Sequence, residues 1–111
     1  MEDKMIGLWE VQELSFQGQN YKDSIRIPII SIDDDKIILP EIEDLHPLNH
    51  ANWDVIEYSK TDSIRIISEN KMFNGNYMIL YTQDSNDELI HCSLISKQTT
   101  LILNKIDLFP E

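Results

Sequence analysis

Runs such as Met78-Ile79-Leu80 and Leu101-Ile102-Leu103 constrain this chain more than any other feature. Each lies in a strand-length segment bounded by polar turn residues. Successive side chains of a strand point to opposite faces, so each run places apolar groups on both. An open sheet without helices would leave one of those faces wet. Closing the sheet into a barrel removes its edges and gives one enclosed face. The outer face keeps some apolar surface, to be covered by the segment 41–52 or by a partner.

Eight such segments follow one another. They are Met5 to Phe16, Ile25 to Ile32, Lys36 to Leu39, Trp53 to Tyr58, Ile64 to Ser68, Tyr77 to Gln83, Glu88 to Ser96 and Thr99 to Ile106. The breaks carry turn chemistry, as in Gln17-Gly18-Gln19-Asn20 and Asp33-Asp34-Asp35. Connections this short favour an antiparallel meander. The sequence therefore predicts a single domain over 1–111: all-β, an eight-stranded up-and-down barrel, closed or split along one side. The longest irregular piece, 41–52, holds Pro47 where it would suit a first helical position.

Composition agrees. Alanine occurs once, at Ala51, while isoleucine dominates the apolar set. β-Branched residues suit strands better than helices. The net charge of −11 leaves no basic face for phosphate, so nucleic acid and anionic membrane surfaces are unsuitable partners. A basic protein or a cationic small molecule would be attracted. The same acids also serve solubility and keep sheet edges unpaired. Cys92 is the single cysteine, which excludes an internal disulfide and a cysteine metal cluster. No stretch reaches the ~20 apolar residues of a transmembrane helix. The first residues, Met1 to Lys4, lack the apolar region of a signal peptide. The expected location is cytoplasmic as read, or exported if a leader has been removed.

One glycine is out of character. Gly7 stands in the first strand segment, two places before Trp9. Glycine weakens a strand unless the chain bends, bulges or is closely approached there. Gly-x-Trp on the first strand of an eight-stranded meander resembles the lipocalin and fatty-acid-binding superfamily. The resemblance implies that Gly7 lets the chain bend across the barrel floor, and that Trp9 plugs the closed end under a basic side chain from the last strand. Lys105 occupies that position here, where lipocalins more often carry arginine. The chain is similar in particular to small lipocalin-like proteins of Bacteroidetes-type bacteria, many of them exported lipoproteins. The matching stretches are Gly7-Leu8-Trp9-Glu10-Val11, Trp53-Asp54-Val55-Ile56, 67–77 including Phe73-Asn74-Gly75-Asn76-Tyr77, and Leu94-Ile95-Ser96 leading to Lys105. No lipobox cysteine accompanies them.

Candidates for chemistry are few. His46 and His50 are four apart and on a helix would share a face, with Asp44 or Glu41 as a third zinc ligand. Pro47 between them argues for exposed loop histidines instead, so no metal and no cofactor are expected. His91 and Cys92 are neighbours in a strand and point to opposite faces, which rules out a dyad. Cys92 alternates with Ile90 and Leu94 and reads as a small buried hydrophobe. Asp33-Asp34-Asp35 lacks the spaced ligands and glycine of a calcium loop and reads as a turn. No nucleophile motif or phosphate loop occurs, so the chain is not expected to be an enzyme.

If the barrel follows lipocalin geometry, Trp9, Val11, Tyr77, Ile79 and Tyr81 face inward and could line a ligand pocket. An eight-stranded barrel is either filled by side chains or just wide enough for one small ligand. Two functions follow. The first is a non-catalytic barrel that binds a small apolar or amphipathic molecule at its open end. The alternative is an acidic protein-binding module, such as an immunity protein or inhibitor masking a basic toxin.

Overall fold

The computed structural model describes residues 2–34, 36–42, 50–57 and 62–106. A single helical turn, α1 (Glu2–Met5), leads into β1 (Gly7–Phe16). Next come β2 (Gln19–Asn20), β3 (Ile25–Ile27), β4 (Ile29–Ile32), β5 (Lys36–Ile38) and β6 (Glu41–Ile42). The chain continues with β7 (His50–Glu57), β8 (Asp62–Ile67), β9 (Gly75–Gln83), β10 (Leu89–Ile95) and β11 (Thr99–Lys105).

The barrel runs β1-β4-β5-β7-β8-β9-β10-β11 and closes through the pairing of β11 with β1. Every neighbour pair in it is antiparallel. The up-and-down eight-stranded barrel expected from the sequence is thus present, and it is closed. Its strands are the eight expected segments with small shifts of boundary. Pro28 divides the second segment into β3 and β4. Proline has no N–H to give a ladder, but its carbonyl accepts from Val11 N–H at 2.7 Å. β3 pairs with β6 in a small separate sheet, and β2 continues along β1. The helical turn suggested by Pro47 and the pair His46 and Asp44 lie outside the described residues.

The wall is uneven. β1 meets β11 along almost its full length, from Trp9↔Lys105 to Phe16↔Thr99. By contrast, β4 and β5 share only the rungs Ser31↔Ile38 and Ile32↔Ile37. Two bulges interrupt the alternation, at Gln12 on β1 and Ile90 on β10. A bulge adds one residue to one strand and reverses which parity faces inward. This corrects the expected alternation around Cys92. Leu94 is buried with Cys92, but Leu89 takes the inner place and Ile90 is 44% exposed.

Inward positions fill the barrel. Trp9, Tyr77, Phe73, Met5, Leu14 and Ile30 head the fully buried side chains. Each large apolar side chain removed from water contributes roughly 1.5–3 kcal/mol before conformational costs. Among the described residues, no buried side-chain nitrogen or oxygen lacks a hydrogen-bond partner. No described helix is long and apolar enough to cross a membrane.

Candidate functional site

Among the described residues, buried side chains stopper both ends of the barrel. At one end Asp33, Asp34 and the connection 84–88 meet the start of β1 and the end of β11. There Trp9 Nε1–H donates to the Met5 carbonyl at 2.9 Å, which ties α1 across the floor. Lys105 Nζ lies 4.7 Å from the Trp9 ring centre. It donates to the Ile6 carbonyl at 2.6 Å and reaches the Lys4 carbonyl at 3.5 Å. Burial lowers the Lys105 pKa, and Glu88 opposes that shift. Gly7 has φ +138°, and a Cβ there would stand 2.7 Å from Lys105 Nζ. The glycine is therefore required twice, by its backbone angle and by the lysine lying against it. Gly7, Trp9 and Lys105 thus come together at this end of the barrel.

The opposite end is filled by the β8–β9 connection, which turns Met72 and Phe73 into the mouth. Phe73 is wholly buried. Its carbonyl accepts from Tyr77 Oη–H at 2.7 Å, and the Met72 carbonyl accepts from Thr99 Oγ1–H. Asn70 Oδ1 accepts from Met72 N–H at 3.0 Å and shapes the turn. Burial pushes the Tyr77 hydroxyl up to about 12, against the opposing bonds with Thr99 and Ser96.

Of the five residues expected to line a pocket, Trp9, Val11, Tyr77 and Ile79 do face inward. They are packed as core, at 0, 0, 1 and 4% exposure. Tyr81 is the exception at 42%. β9 runs on beyond its last described rung with β8, Ser63↔Met78, and Tyr81 is opposite Cys92 of β10. Cys92 is buried, and burial pushes its thiol up to about 12, against the nearby charge of Lys105. Its neighbour His91 points away and pairs through Nδ1 with Asn104 Oδ1. Among the described residues no three His, Cys, Asp or Glu side chains converge to hold a metal.

His50 belongs to a different feature. It lines a cleft of about 440 Å³ on the outer wall, with Lys36, Ala51, Asn52, Ile67, Ser68 and Glu69. The cross-strand register builds this cleft. Lys36 lies beside Asn52, which lies beside Ile67, so the three form one outward row over β5, β7 and β8. His50 and Glu69 are exposed toward the Met72 end of the same wall. Ile67 is half exposed and supplies the apolar surface. Sequence inspection singled out His50 only as a metal ligand. The rest of the group comes from three strands and has no local motif.

A second charged feature lies at the Trp9 end. Its turns present Asp33, Asp34, Asp84, Asp87 and Glu88 to solvent. No protein-family model, curated protein or solved structure matches this chain.

Proposed function

We propose that this chain is a non-catalytic, lipocalin-like binding protein that takes a small amphipathic molecule in the outer cleft over β5, β7 and β8. The observation that carries this reading is the lining of the cleft. A cation, Lys36, lies in one row with the exposed apolar Ile67, and a carboxylate, Glu69, stands at the far end. The stoppered interior supports an outer location. An ω-amino acid fits this pattern, its carboxylate toward Lys36, its apolar chain along Ile67 and its ammonium toward Glu69.

Calorimetric titration with 8-aminooctanoate, octanoate and octylamine tests the proposal. The expected order of affinity is 8-aminooctanoate, then octanoate, then octylamine. Lys36→Gln should weaken 8-aminooctanoate roughly tenfold, the usual effect of losing a hydrogen bond to a charged group. Equal binding of all three, or none, would count against the cleft.

A second reading rests on the acidic turns at the Trp9 end. They would steer a basic protein to that end, as an inhibitor of a basic toxin requires. Its signature is an association rate that falls steeply with salt, whereas a zwitterion without net charge is not steered over long range to the cleft.

A further inference from the structure

The outer face of β9, β10 and β11 is the molecule's uncharged side. These strands contain no Asp, Glu or Arg, and their single Lys, Lys105, turns inward. In a chain of net charge −11 such a gap is unexpected. The face is also apolar. Met78 and Leu80 are 39 and 51% exposed, and Ile95 and Ile102 continue the patch at half-buried positions. Register places them together. Met78 is opposite Ile95, Leu80 is opposite Ser93, and Ser93 is opposite Ile102.

The two ends of this face carry opposite charges. Beyond one end, the β9–β10 turn exposes Asp84, Asp87 and Glu88. Beyond the other, the β10–β11 turn exposes Lys97, and Lys71 stands beside it. Gln98 Nε2–H donates to the Lys71 carbonyl at 2.9 Å and ties these two connections together. The face is thus acidic at one end, apolar in the middle and basic at the other.

We infer that this face docks a second copy of the chain in antiparallel fashion, about a two-fold axis perpendicular to the strands. That rotation stacks the apolar centres and brings each acidic turn to the partner's lysines. A two-fold contact must be complementary to itself, and this charge order is. A wholly basic partner would meet repulsion at Lys71 and Lys97. Three strands about 4.8 Å apart and about seven residues long cover little more than roughly 300 Å². That is below the ~800 Å² per partner of a standard interface, so the dimer is weak and concentration-dependent.

Sedimentation equilibrium of the full chain tests this, with circular dichroism to confirm folding. The wild type should show a reversible monomer–dimer equilibrium. Leu80→Glu, at an exposed site, should weaken it at least tenfold. Lys97→Glu should weaken it about fivefold by setting acid against acid at both ends. Adding Asp87→Lys to Lys97→Glu should restore association to within about twofold of wild type. A chain that stays monomeric at the highest concentration would overturn the inference, as would a dimer indifferent to Leu80→Glu. Failure of the charge-swapped double variant to recover would exclude the antiparallel arrangement.

Discussion

Lys105 lies over Trp9, with Nζ 4.7 Å from the ring centre, and holds the Ile6 carbonyl at 2.6 Å. The last strand is thereby latched to the segment that precedes the first. Gly7 makes the latch possible because no Cβ stands in the path of the ammonium group.

Removing the latch should loosen the whole barrel. Lys105→Ala forfeits a cation–π contact and leaves the Ile6 carbonyl without its charged donor, for about 2–4 kcal/mol. Gly7→Ala introduces backbone strain of about 1–3 kcal/mol and displaces the lysine. Both variants break the same contact, so together they should cost less than the sum of the two. Urea unfolding of the four proteins in a double-mutant cycle checks this. Strict additivity would mean that the lysine does not depend on the glycine.

At the other end, the plug should matter through both packing and hydrogen bonding. Phe73→Ala should cost about 3–5 kcal/mol, the usual range for emptying a buried aromatic site. Tyr77→Phe keeps the ring but frees the Phe73 carbonyl, for about 1–2 kcal/mol. Thermal unfolding should rank them in that order, with a shift of roughly 4–8 °C per kcal/mol.

The pH dependence follows from Cys92 and Tyr77. Both are neutral in the fold, and both have folded pKa values raised to about 12 from reference values of 9.0 and 10.0. The unfolded chain loses these protons first as pH rises. Their contribution is therefore complete below the unfolded values and declines from about pH 9 toward pH 12. Cys92→Ala should flatten this alkaline decline in urea midpoints, whatever it costs near neutral pH. The same burial should keep Cys92 from reacting with iodoacetamide until the protein is unfolded. Rapid labelling of the native protein would contradict its position in the core.

The fold was legible because its signals are local. Turn clusters of Asp, Asn and Gly mark the ends of segments, and β-branched residues fill them. Gly7 was conspicuous as a glycine inside a strand, but nothing in the spacing of Gly7, Trp9 and Lys105 brings β1 and β11 together. The bulges were not legible. Ile90 and Leu89 are equally apolar, and only the extra residue decides which one turns inward. The plug was not legible, because the connection 68–74 is polar apart from two residues. Met72 and Phe73 inside a polar connection were the overlooked signal, because large apolar side chains in a turn need somewhere dry to go. The outer cleft was invisible because Lys36, Asn52 and Ile67 become neighbours only through the register of three strands.

The central claim is that the interior is core and that small molecules bind on the outer wall. Amide chemical-shift mapping by NMR during titration with 8-aminooctanoate tests it most directly. The account predicts changes confined to Lys36, His50, Ala51, Asn52, Ile67, Ser68 and Glu69, with Trp9, Val11, Tyr77 and Ile79 unmoved. Changes centred on those four inward residues would place the ligand inside the barrel and contradict the account.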